Sequence, residues 1–371
     1  MNRMEVLFAA ALAAGLAFSA SVPGRADDSS ASIAAGGLVP RRETRIVMAK
    51  EVLEIGPTKV VVDYDFRNDT GQDVTTEVAF PVPSYTNEYP ETDLTEQSFQ
   101  SFKLWVDGKP VHFEVEAKAT LNGKDVTAAL NANQIDIPTL GHFVDKVAAN
   151  GTDQAATGDF DRLPKPVKDQ LLKAGLFEND GDGFIRALWT AHVQYHWTQT
   201  FPAHSTVHIR HEYTPVEGGE LMLIDTLENV SQHKQPTGDA DTVKYELQDM
   251  RRLEGLCPDP SLLSGMIRRM ESSGPGYGQY AHPRWVDFIL TSANTWKQPI
   301  EDFTLIVLRG KPEEENTQVF VSFCPPQNAK VEKLDAGRFQ VHLTNFVPTA
   351  ELRIGFFDML ENKPALAATK K

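Results

Sequence analysis

Along much of this chain, apolar and polar side chains alternate by twos, and no other feature restricts the possible folds as tightly. Val60, Val62, Tyr64 and Phe66 alternate with Val61, Asp63, Asp65 and Arg67. Period two predicts a strand with one buried and one wet face. The following "NDTGQD" supplies turn residues that tolerate positive φ or bond their own backbone. Val74, Thr76, Val78 and Phe80 then resume the alternation, and Pro81 and Pro83 end it, because proline cannot donate to a ladder. Two antiparallel strands account for every residue in this stretch and leave none for catalysis.

The pattern recurs. Phe102, Leu104 and Val106 lead into Asp107-Gly108, a strong hairpin signal, and Val111, Phe113 and Val115 return; Asn122-Gly123 repeats the turn. "ALWTAHVQYHWTQTF" and "STVHIRHEY" read as a further strand pair across "PAHS", and five strand-like segments follow from "WVDFILTS" to "AELRIGFFDM". Many short strands between turn signals predict a mainly β chain of antiparallel sandwich units. Helices enter as insertions at about 128–178 and 259–273. The second carries Asp259 as cap, Pro260 in the first turn, and Leu263, Met266, Ile267 and Met270 on one face. The polar "TPVEGGE" (Thr214 to Glu220) marks a boundary between an N-terminal unit, 27–218, and a C-terminal unit, 219–371.

Residues 1–26 read as an export signal: Arg3, an apolar "VLFAAALAAGLAFSASV" and small residues before Asp27. Glu5 is unusual there and keeps an uncleaved anchor as the alternative. No later stretch reaches the ~20 apolar residues of a membrane span. An exported chain is expected to be periplasmic, and its two cysteines, Cys257 and Cys324, to form a disulfide. A reactive or metal-binding thiol pair would need a CxxC spacing or a neighbouring His. The net charge of −15 argues against nucleic acid, since phosphate binding needs a basic face, and disfavours adhesion to anionic lipid.

Histidines gather in "AHVQYHWTQTFPAHSTVHIRHEY". On a strand, His192 and His196 stand about 13 Å apart, too far to share one ion. A neighbouring strand could bring His208 or Glu212 beside His196, which makes His196, His208 and Glu212 the metal candidates, against a solvated sheet face. "ENDGDGFIRALW" imitates a calcium loop, but Trp189 stands where the closing Glu is required. No GxSxG elbow, papain-like cysteine or helix-opening SxxK is present. "AAGGLV" lacks the setting of a dinucleotide fingerprint. No cofactor is expected.

Several phrases together resemble an exported bacterial family, domain of unknown function four-four-two-four: "AAGGLV", "YDFRN…VAFPVP", "HWTQTFPA…HEYTPVEGG", "FILTSANTWKQPIEDF" and "VSFC". The sequence departs from that pattern where Thr295 separates Asn294 from Trp296 and where Gln298 precedes Pro299-Ile300. The resemblance implies a periplasmic, immunoglobulin-like β architecture with helical insertions, and no activity. The expected function is a non-enzymatic module binding an envelope protein or glycan. Tyr85, Tyr89, Tyr277 and Tyr280, aromatics near turns, are the candidate contacts. The alternative is a metal-dependent hydrolase using the histidine-rich segment 192–212.

Overall fold

The computed structural model describes residues 28–34, 37–87, 92–93, 101–141, 158–179, 185–219, 221–272, 280–310 and 318–359. The fold is mainly β and is built from several sheets. The largest runs in space through Glu332–Lys333, Arg338–Phe346, Ile300–Leu308, Ile46–Ile55, Val60–Asn68, Ser205–Tyr213, Lys103–Val106 and Lys109–Pro110. Its neighbours are antiparallel except Ile46–Ile55 beside Ile300–Leu308, which run parallel. Strands from both sides of the expected 218/219 boundary therefore share one sheet. Glu217–Gly219, within the segment read as a linker, is itself a strand beside Tyr280–Phe288.

A second sheet runs Lys124–Asp125, Glu114–Leu121, Thr190–Phe201, Val74–Pro81, Ser29–Ala34 and Gly37–Pro40. This order corrects two expected hairpins. Val60–Asn68 and Val74–Pro81 do not pair with each other, and neither do Thr190–Phe201 and Ser205–Tyr213. Each short connection carries the chain from one sheet to the other. Asn68 explains how: its buried amide donates to the carbonyls of Gln72 at 2.8 Å and Phe201 at 2.9 Å, while its Oδ1 accepts from Thr70 N at 3.0 Å. One side chain thus satisfies the backbone of both crossings, which would otherwise bury unpaired carbonyls. The Asp107-Gly108 and Asn122-Gly123 turns adopt the expected positive φ at all four residues. After the first of them only Lys109–Pro110 returns in the same sheet, and the chain then joins the second sheet at Glu114.

A third sheet runs Gln318–Phe323, Leu352–Met359, Tyr280–Phe288, Glu217–Gly219 and Thr92–Asp93. Inner faces of all three sheets meet in one core, with Tyr64 and Phe66 from the first, Phe80 and Trp197 from the second, and Phe288 and Phe356 from the third. Each such side chain contributes ~1.5–3 kcal/mol by leaving water. The other face of the third sheet is covered by Ile224–Gln232, Ala240–Glu254 and Pro260–Ser272, whose Leu227, Leu253 and Met266 pack with Phe357 and Met359. Asp259 caps the last of these helices as expected, accepting from Leu262 N at 2.9 Å. The first two helices were not expected. Cys257 and Cys324 are joined, tying this helical layer to the end of Gln318–Phe323.

Candidate functional site

The histidine-rich strands do not converge. His196 lies on the second sheet, its Nδ1 2.7 Å from Glu77 and its Nε2 3.8 Å from Glu114. His208 lies on the outer face of the first sheet, 3.1 Å from Asp63 and 3.0 Å from Asp65, with Arg210 also on Asp63 at 2.5 Å. Glu212 is engaged by Lys59 at 2.9 Å, and that hydrogen bond lowers its carboxyl below the usual range. His192 meets Thr120 Oγ1 at 2.8 Å, and burial lowers its pKa. These are cross-strand polar pairs, each within its own sheet. Among the described residues, no three His, Cys, Asp or Glu side chains are arranged to hold a metal ion.

His211 differs from all of them. It faces inward and is fully buried, with the rings of Phe80, Phe102, Trp197 and Tyr64 at 4.8, 5.2, 5.4 and 5.6 Å. Loss of hydration pushes its pKa down to about 3. Buried Asp28 stands 3.5 Å from its Nε2, too long for a charge-assisted hydrogen bond, so burial prevails and the ring is neutral at ordinary pH.

The tyrosines fare differently again. Tyr85 is buried and donates to the Pro138 carbonyl at 2.6 Å, a structural role, and burial drives its phenol pKa well up. Tyr89 and Tyr277 lie outside the described residues, as does part of the calcium-like loop (180–184); Tyr280 begins Tyr280–Phe288, and its side chain is outside them too.

The recess that the structure does present was not expected. On the outer face of the third sheet, Gly218, Trp285, Gly355 and Ser322 stand in one row across four strands. The two glycines flanking Trp285 create the room. A Cβ on Gly218 would fall 2.1 Å from the indole Nε1, and one on Gly355 would fall 2.5 Å from Leu256 Cδ1. The indole therefore lies over bare backbone on one side, and Leu256 drops into the gap on the other. Leu256 is fixed there: its carbonyl accepts from Ser322 Oγ at 2.9 Å, and Cys257 follows it into the disulfide.

Met222, Leu253, Leu256 and Pro283 line the remainder of the recess together with Trp285, Arg252 and Arg353. Both guanidiniums stand 5.8 Å from the indole ring, within cation–π range. Arg353 is oriented by Asp287, directly opposite it on the next strand, through contacts of 2.6 and 2.7 Å. Arg252 approaches Asp249 at 3.6 Å. Tyr245, Asp249 and Arg252 recur at i, i+4 and i+7 and so share one face of Ala240–Glu254. Tyr245 is 64% exposed, and Leu221 and Leu223, either side of Met222, are about half exposed. Arg252 thus lines the recess, and Tyr245 stands about two turns from it on the same face of Ala240–Glu254.

A mainly β chain with helices laid over the outer face of one sheet is the class these features define. Residues 26–354 match the family model described as Domain of unknown function (DUF4424), and the chain belongs to that family. The comparison with curated proteins finds no match. Among solved structures, a Legionella pneumophila protein titled a "putative nutrient binding protein" is 14% identical; the match covers 90% of this chain and 71% of that one, at a TM-score of 0.38. Among the described residues, no helix is long and apolar enough to cross a membrane.

Proposed function

We propose that this is a non-enzymatic, exported module with immunoglobulin-like β architecture that binds a protein partner in the periplasm. Its contact face is Tyr245, Arg252, Trp285 and Arg353. The observation that carries this reading is Trp285, set in an apolar recess between two guanidiniums. Trp, Tyr and Arg are the residues that dominate binding energy at protein interfaces, chiefly when they stand in a recess that partner atoms can seal from water. Of the two partner classes expected from the sequence, protein is favoured over glycan. A sugar stacks on a bare aromatic face, whereas this indole already carries two cations.

The test is a photo-activatable residue at position 245, with a second at Thr75 on the second sheet as the control, each introduced into the full chain in its native cells. The expected result is one discrete protein adduct from position 245, absent from the control. Trp285→Ala should weaken that partner about thirtyfold or more, the ~2 kcal/mol threshold of an interface hot spot. Identical adducts from both positions, or an affinity unchanged by Trp285→Ala, would reject the reading.

A further inference from the structure

The second feature of note lies away from the Trp285 face. "VPRRETR" (Val39 to Arg45) places three arginines within five residues of a chain whose net charge is −15. Arg41, Arg42 and Arg45 are all exposed. The segment holding them is latched at both ends: Arg41 N donates to Ser30 O and Glu43 N to Thr295 O, each at 2.7 Å, and Lys297 N donates to Ile46 O at 3.0 Å. Arg42 Nη2 reaches the Lys297 carbonyl at 3.4 Å, which sets a fourth cation beside the three. Glu43 is buried beneath them; its hydrogen bond to Arg45 is the main reason its pKa is lowered, with Arg41 adding to the effect. Three further acids lie nearby: Asp69, 4.0 Å from the Lys297 ammonium and also held by Arg67; Glu301, held by Arg67 and Gln298; and Glu351, which accepts from Thr291 on the turn that leads to Lys297. Arg41, Arg42, Arg45, Lys297 and Arg67 thus stand among Glu43, Asp69, Glu301 and Glu351, a small positive excess on a chain that is acidic as a whole.

Two exposed valines border it. Val39 is 47% exposed and lies two residues before Arg41, and Val347 is 41% exposed. Asn294 Nδ2 donates to Pro348 O at 2.8 Å, which brings Val347 to the same turn that carries Thr295 and Lys297. Guanidiniums match phosphate oxygens bidentately, and apolar tips among cations can enter the boundary between headgroups and acyl chains. A soluble phosphate or an acidic peptide would account for the arginines but not for the valines.

We propose that this patch docks the protein peripherally on an anionic phospholipid surface. The chain's overall charge does not forbid it. At physiological ionic strength fields decay over about 8 Å, so charges on remote faces are screened while the patch acts locally. Each Lys or Arg near such a surface contributes about 1 kcal/mol, or about fivefold in partitioning. The contact should be weak and salt-sensitive.

The experiment is co-sedimentation of the full chain with vesicles of phosphatidylglycerol mixed with phosphatidylethanolamine, against phosphatidylcholine vesicles. Arg41→Gln with Arg42→Gln leaves the Arg45–Glu43 contact intact, and should lower partitioning about twenty-five-fold. Lys109→Gln with Lys124→Gln removes equal charge from exposed turns elsewhere, and should leave partitioning nearly unchanged. Val39→Ser with Val347→Ser should weaken vesicle binding without changing its salt dependence. Three results would overturn the proposal: equal losses from both charge pairs, equal binding to the two vesicle types, or retention of inorganic phosphate or poly-glutamate without retention on vesicles. Circular dichroism of each variant separates lost docking from lost folding.

Discussion

The histidine-rich strands and the Trp285 recess divide chemistry from access. The strands carry imidazoles and carboxylates in quantity, but the three candidate ligands are taken up by neighbours: His196 by Glu77, His208 by two aspartates, Glu212 by Lys59. The recess carries no histidine, yet its Arg353 is 46% exposed beside the indole, where a partner could reach it. The difference teaches that parity along a strand outranks the inventory of reactive types. His208 and His211 are three residues apart on one strand, so they point to opposite faces, one to water and one into four aromatic rings.

The largest expected effect would break this contrast by unfastening the recess. Replacing both Cys257 and Cys324 with Ser removes a link spanning 67 residues and should cost roughly 4 kcal/mol in denaturant titration. The loss should be local. Amides of Ala240–Glu254 and Pro260–Ser272 should exchange faster, while those of Thr190–Phe201 and Ser205–Tyr213 keep their protection. If the histidine-rich strands lose as much protection as the helices, the recess is not a separately stapled region.

The next effect sharpens the contrast between the two histidines. An unfolded chain protonates His211 near 6.5, whereas the folded chain holds it neutral down to about 3. The folded-state pKa is depressed, so stability is full above about 6.5 and declines as pH falls towards 3. The decline approaches about 1.4 kcal/mol per unit, or roughly 2 kcal/mol between 6.5 and 4.5. His211→Gln should remove this share of the acid sensitivity. Urea titrations of both proteins across that range check it. Parallel profiles would show that the buried ring takes no part, and a stability that rises on acidification would mean that the contact with Asp28 outweighs burial.

Much of this was legible in the sequence because strands and tight turns are local. The alternation from Val60 to Phe66, the Asp107-Gly108 and Asn122-Gly123 turns, the Asp259 cap and the disulfide all follow from neighbouring residues or from the cysteine count. Pairing was not legible. A five-residue connection suits a hairpin and a crossing equally, and the choice here rests on the Asn68 amide turning inward to serve Phe201, 133 positions away. Ala240–Glu254 did leave a signal, with Asp239 as cap and Leu247, Met250 and Leu253 at helical spacing. The recess left none. It exists because Gly218 and Gly355 fall in register on either side of Trp285, and register between distant strands is a property of the assembled sheet.

The smallest expected effect is the converse of the His211 experiment. His208 makes contacts of 3.0 and 3.1 Å to two aspartates, which on distance alone would rank it above His211. It is 45% exposed, however, so water solvates the separated partners nearly as well as they solvate one another. His208→Ala should therefore cost no more than about 0.5–1 kcal/mol. Added zinc should not raise the melting temperature, because a ligand stabilises only through a site that exists in the folded state. A cost at His208 equal to that at His211, or a zinc-dependent rise abolished by His208→Ala or His196→Ala, would reverse the ranking. Exposure would then not decide what these strands do, and the metal-dependent reading would regain its ligands.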